Sequence, residues 1–146
     1  KKLWKARHDV YYSVKALGSN MKVYSTDVCV PISRLVECIS WAEKEVNKLG
    51  LTAPMVGHVG DGNFHSIVLY DPHDKEKQKK IRQYSDDLIN KALELEGTIT
   101  GEHGIGLQKK HYLLKEHLDN LPVMKAIKRS LDTNNIMNPG KVFDLN

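Results

Sequence analysis

The run Gly57-His58-Val59-Gly60-Asp61-Gly62-Asn63-Phe64-His65 sets two imidazoles on either side of a glycine-rich turn. A second run, Thr100-Gly101-Glu102-His103-Gly104-Ile105-Gly106, sets a carboxylate beside a third imidazole. Two imidazoles and one carboxylate, from His58, His65 and Glu102, are the donor set of a catalytic divalent-metal site that keeps coordination positions open. His103 would stand beside the ion as a free base, its ordinary pKa of about 6.5 leaving a usable neutral fraction near neutral pH. Taken singly, either run also reads as a glycine-rich turn with incidental histidines, because glycine at a turn needs no functional cause. Asp61 has two readings as well: an acceptor for the second nitrogen of a ligand histidine, or a plain turn aspartate.

These side chains need elements to hold them. Leu3, Val10, Val14 and Leu17 share one helical face, and Gly18 stops that helix. Arg7 falls on the same face, where a guanidinium must find an anion or reach solvent; a substrate carboxylate and an internal ion pair both satisfy it. Lys22 to Val30 reads as a strand closed by Pro31, and Leu35, Ile39, Ala42, Val46 and Leu49 as an amphipathic helix ending at Gly50. Pro54 to Val59 and Phe64 to Tyr70 form a hairpin around Gly60-Asp61-Gly62. Asp71 is placed to N-cap a helix with Pro72 at its first position, with Ile81, Tyr84, Leu88 and Leu95 on the buried side. Thr98 to Glu102 reads as a last strand and Val123 to Leu131 as a last helix.

After the first helix the order is strand, helix, strand, strand, helix, strand. The expected fold is therefore α+β: a ferredoxin-like antiparallel sheet with helices on one face, flanked by an N-terminal and a C-terminal helix. That topology carries a conflict. In its ideal form the end of the last strand lies at the opposite edge from the hairpin turn, which would part Glu102 from His58 and His65.

With 146 residues and 40% hydrophobic content, residues 1–146 are expected to form one domain. No run of about 18 apolar residues is present to form a transmembrane helix. The net charge of +4 comes from 22 basic and 18 acidic residues in mixed-sign stretches, which reads as an ordinary solvated surface and against nucleic-acid binding. Cys29 and Cys38 lie on a strand and a helix with no Cys-x-x-Cys spacing, so both are expected to be buried reduced thiols.

The two histidine motifs, with Leu3-Trp4-Lys5-Ala6-Arg7, Ser25-Thr26-Asp27-Val28-Cys29-Val30-Pro31 and Met137-Asn138-Pro139-Gly140-Lys141, resemble the C-terminal part of the FAD-linked 2-hydroxyacid dehydrogenases, most like their mitochondrial D-lactate branch. The resemblance implies a substrate and metal (cap) domain whose FAD-binding domain lies outside this chain. It also implies oxidation of a 2-hydroxy acid to a 2-oxo acid, a cytochrome-type electron acceptor and a mitochondrial location. His58, His65 and Glu102 would bind a divalent metal, zinc or manganese, and His103 would take the hydroxyl proton. Arg7 would hold the substrate carboxylate, and Asn138 would approach the flavin ring. Ser25 and Thr26 stand where hydroxyglutarate-type members tend to carry a lysine, which favours a monocarboxylate over the D-2-hydroxyglutarate branch; the glycolate branch stays open. A noncatalytic metal-binding or docking module is the alternative from another class.

Overall fold

The structure, a computed structural model, describes the backbone of residues 2–18 and 20–145 and their side chains except those of residues 2–4 and 6–8. Helix α1 (Lys2–Ala16) leads into strands β1 (Lys22–Ser25) and β2 (Val28–Cys29), then helix α2 (Ile32–Leu49). Strands β3 (Met55–His58) and β4 (Asn63–Tyr70) follow, joined by a 3-10 turn at Val59–Asp61. Helices α3 (Lys75–Glu94), α4 (Lys110–His117) and α5 (Leu121–Leu131) complete the chain.

β4 is the central strand. β1 and β2 pair antiparallel along one of its edges, with Ser25 opposite Ile67 and Val28 opposite Phe64, so both belong to a single register interrupted at Thr26-Asp27. β3 pairs along the other edge, with Val56 opposite His65. Side chains on β4 alternate between the two sheet faces, as the pleat requires. Phe64 and Val68 enter the main core with Val28, Leu35, Cys38, Ala42, Tyr84 and Leu88, under α2 and α3. Ile67 and Leu69 turn to the other face and meet Val14 and Val10 of α1. The fold is α+β with the ferredoxin-like sheet expected, and α1 covers part of the face that α2 and α3 leave open. A fully buried side chain such as Leu88 contributes about 1.5 to 3 kcal/mol of transfer free energy, so α3 is held by its inner stripe rather than by helix propensity.

Two expectations are corrected. α3 is capped by Asp74, whose side chain accepts from the Lys77 N–H, whereas Asp71 accepts from His73 N–H in the preceding turn; the helix starts one turn later than Asp71-Pro72 suggests. The strand expected over Thr98 to Glu102 is reduced to a single bridge between Thr98 and Cys29. Beyond it the backbone donors are diverted. Ile99 N–H goes to Glu116, and the N–H groups of Gly101, Glu102 and His103 all go to the Asp27 carboxylate. A buried side-chain acceptor has taken the donors a β-ladder would have used, and the segment curls over the sheet instead of extending along its edge. α4, for which the sequence pattern gives no helix, follows this curl.

Candidate active site

Each histidine of the first motif owes its place to the hairpin. Gly62 sits at φ +78°, and a Cβ there would lie 1.9 Å from Val30 O, so the turn needs glycine both for its backbone conformation and for its close approach to the neighbouring strand. His65 falls on the β4 face that α1 partly covers and is buried; His58, at the end of β3, is exposed.

His65 is oriented by the interruption in the first strand. Its Nδ1 lies 3.0 Å from Thr26 O, a carbonyl that can only accept, so Nδ1 donates there and Nε2 is turned toward Glu102. Nε2 lies 3.4 Å from Glu102 Oε1, and His58 Nε2 lies 2.9 Å from the same oxygen. The ring of His103 stacks on that of His65, with centroids 4.9 Å apart and planes 9° from parallel. His58, His65, Glu102 and His103 are thus brought together, and the topological conflict disappears because Thr100 to His103 leave the sheet edge. Two imidazole Nε2 atoms converge on one carboxylate oxygen, a donor set whose chemistry fits a divalent metal.

Asp27 lies against the same segment. It is almost fully buried. Its Oδ1 accepts from Asn63 Nδ2 at 2.9 Å, and its Oδ2 accepts from Thr100 Oγ1 at 2.5 Å and from the N–H groups of Gly101 and His103, both at 2.9 Å. Glu102 N–H reaches both oxygens at 3.1 Å. Burial pushes the carboxyl up, but the hydrogen bonds from Thr100, His103, Asn63 and Glu102 outweigh it and hold Asp27 well below the usual carboxylate range. Asp27, His65 and His103 offer donor atoms within 4.8 Å of one another, yet these hydrogen bonds already occupy the lone pairs of Asp27. Lys109 adds a brace, donating to Asp27 O at 2.8 Å and Ile99 O at 2.7 Å; burial lowers its pKa against the pull of Asp27.

Two cavities flank the cluster. One of about 350 Å³ is lined by Val10, Tyr11, Ser25, Val56, His58 and Ile67, giving a mostly apolar wall beside the two imidazoles. A larger open groove of about 970 Å³ runs from His103 past Tyr24, Arg82 and Tyr112 to Lys141. Asn138 is exposed on the tail, in a turn where Lys141 N–H bonds its carbonyl, and no described contact joins it to the histidines. Arg7 lies on α1, one turn before Val10 and Tyr11, but its side chain is outside those described. Asp61 is exposed, and the acceptor for His65 is Thr26 O instead. Asp27, Thr100 and Lys109 escaped the sequence reading. The one available signal was an aspartate directly before the apolar run Val28-Cys29-Val30, where a carboxylate drawn into the core needs several donors.

The chain matches the family described as FAD linked oxidases, C-terminal domain, over residues 1–142. It is 49% identical over 146 residues to a Danio rerio protein named Probable D-lactate dehydrogenase, mitochondrial, covering 99% of this chain and 29% of that protein. It is 41% identical over 144 residues to the Arabidopsis thaliana D-lactate dehydrogenase [cytochrome], mitochondrial, covering 98% of this chain and 25% of the relative. It is 37% identical over 118 residues to the Bacillus subtilis Glycolate oxidase subunit GlcD, covering 80% of this chain and 25% of that one. The chain therefore spans between 25% and 29% of the length of these relatives. Among solved structures, 4-ethylphenol oxidase from Gulosibacter chungangensis shares the fold, with a TM-score of 0.66 at 20% identity over 97% of this chain and 30% of that one.

Proposed function

Because the chain belongs to the family of FAD linked oxidases, C-terminal domain, we propose that it is the substrate- and metal-binding part of a flavoenzyme that oxidises D-2-hydroxy acids to 2-oxo acids, with D-lactate as substrate. The observation that carries this reading is the convergence of His58, His65 and Glu102, with His103 stacked on His65 and an apolar cavity beside His58 and His65. A divalent metal, zinc or manganese, held by His58 Nε2, His65 Nε2 and Glu102 would supply Lewis acidity that lowers the pKa of a bound hydroxyl. FAD, held by the remainder of the longer protein with Asn138 at its ring, would supply the two-electron acceptor that side chains lack.

This chain's own residues do the rest. His103 takes the hydroxyl proton, and the stack on His65 keeps its ring next to the metal donors. Arg7, on the helix turn before the cavity, holds the substrate carboxylate. Val10, Val56 and Ile67 shape the space for the substrate side chain and exclude water, and with Ser25 and Thr26 where hydroxyglutarate-type members tend to carry a lysine, no lysine or arginine lines it among the described side chains. The relatives named mitochondrial, and the one named for a cytochrome, support a mitochondrial location and a cytochrome-type electron acceptor.

The test uses the full-length protein. Metal content is measured in the parent and in His58→Ala, His65→Ala and Glu102→Ala, together with turnover of D-lactate, D-2-hydroxyglutarate and glycolate before and after chelation. Each variant should lose metal affinity by about 10-fold or more, since even losses behind the ligands reach about 10 to 100-fold. D-lactate should be preferred over the dicarboxylate. Unchanged metal content in all three variants refutes the metal site, and full activity without metal refutes its role.

A further inference from the structure

We infer that Asp27 is a positioning residue for this site: its carboxylate holds the Thr100 to His103 backbone in the curl that brings Glu102 and His103 to His65. The inference rests on the reading of His58, His65 and Glu102 as metal ligands. Its geometric basis is independent of that reading. Thr100 Oγ1 and the N–H groups of Gly101, Glu102 and His103, from four consecutive residues, converge on one side chain more than seventy positions earlier. Three successive backbone N–H groups pointing at one anion form a concave nest, filled here by a carboxylate of the same chain.

The adjoining residue completes the device. Thr26 O fixes His65 Nδ1 at 3.0 Å, and Thr26 Oγ1 accepts from Ser66 N–H at 2.8 Å. The Thr26-Asp27 interruption between β1 and β2 therefore sets both halves of the site, His65 through Thr26 and Glu102 with His103 through Asp27. Asn63 shows how closely its surroundings are built around the carboxylate. It commits Nδ2 to Asp27 Oδ1 and Val28 O, both at 2.9 Å, while its own Oδ1 is buried with no hydrogen-bond partner among the described residues. Gly101 is packed to the same contact: a Cβ there would lie 2.0 Å from Asn63 Nδ2.

All these partners are donors, so the group they surround must be acceptor-only. An ionised carboxylate provides about four lone-pair sites, whereas an amide of the same size would turn an NH2 toward at least one donor. Asp27→Asn is thus a near-isosteric removal of the anion. A purely structural role would lower stability and leave the site intact in every molecule that folds. A positioning role changes the site in folded molecules.

The experiment uses the full-length protein, with zinc and manganese chlorides as probes, and compares Asp27→Asn, Thr100→Val and the control Glu102→Ala. Dissociation constants come from competition with a chromophoric chelator, ligand geometry from the visible spectrum after cobalt substitution, and fold from thermal melts. Asp27→Asn should bind metal about 10 to 100-fold more weakly in its folded fraction, the range for residues that orient ligands. Its cobalt spectrum should be altered and its kcat reduced more than its KM is raised. Thr100→Val removes a single hydrogen bond to the carboxylate and should fall between the parent and Asp27→Asn. If Asp27→Asn does not fold, Thr100→Val decides alone. Parent-like metal affinity and cobalt spectrum in the folded variants, with affinity lost in Glu102→Ala, overturns the inference and leaves the metal site standing. Parent-like affinity in Glu102→Ala overturns both.

Discussion

Gly62 and Gly50 offer a controlled comparison, because both have positive φ and only one is crowded. At Gly50, the left-handed cap of α2 at φ +65°, a Cβ would meet nothing within 4 Å. Gly50→Ala therefore costs only the left-handed conformation of an L-residue, about 1 to 2 kcal/mol, less about 0.4 to 1 kcal/mol returned by a stiffer unfolded chain. The net is between about 0 and about 1.6 kcal/mol. At Gly62, with φ +78°, the added Cβ would lie 1.9 Å from Val30 O and 3.1 Å from Val30 C, both backbone atoms that cannot swing aside. The two strands must separate, and the 3.0 Å bond from Val30 N–H to Gly62 O is lost. A lost hydrogen bond and buried groups left unpaired add about 1 to 3 kcal/mol, so Gly62→Ala should cost roughly 3 kcal/mol in all. At about 2 to 4 °C per kcal/mol for a unit near this size, Gly62→Ala should lower Tm by roughly 6 to 12 °C and Gly50→Ala by at most about 6 °C. Gly62 also lies between His58 and His65, so its variant should weaken metal binding while Gly50→Ala does not. Thermal melts and metal titrations of the two full-length variants check both points. Equal Tm losses would show that the approach to Val30 is not what makes Gly62 necessary.

His103→Ala should reduce kcat for D-lactate by about 10² to 10⁴ with KM little changed, whereas Arg7→Ala should mainly raise KM; steady-state kinetics of the full-length variants separate a base from a clamp. A near-normal kcat in His103→Ala would mean the proton leaves by another route. In the core, Tyr84 OH and Ser66 Oγ are 2.6 Å apart and fully buried, and burial pushes the Tyr84 phenol up to about 12. Tyr84→Phe and Ser66→Ala should each cost about 1 to 2 kcal/mol, and the double variant clearly less than their sum, because removing both partners leaves no orphan. Strict additivity in denaturant unfolding would contradict a shared bond. The 146-residue chain purified alone should carry no flavin absorbance and no turnover; a yellow, active preparation would overturn the proposal that flavin is held outside these residues.

The sequence by itself determined what is local. The hairpin and its paired imidazoles follow from β-prone runs around a glycine turn, and α1, α2, α3 and α5 follow from apolar spacing, because turn conformation and helix periodicity depend on residues a few positions apart. The family was legible too, since the long histidine motifs are read directly from residue order. The tertiary structure decided where Glu102 goes. Thr98 to Glu102 carry β-prone residues, yet the ladder ends after one bridge because Asp27, 75 positions from Glu102, offers a buried anion that competes successfully for the same N–H groups. The start of α3 at Asp74 rather than Asp71 is a local matter, since Asp74 accepts from the N–H of Lys77 three positions on. Periodicity records how a segment would pair if left to its neighbours in the chain; it holds no information about a distant acceptor that folding brings against it, and the geometry at Glu102 and His103 depends on such an acceptor.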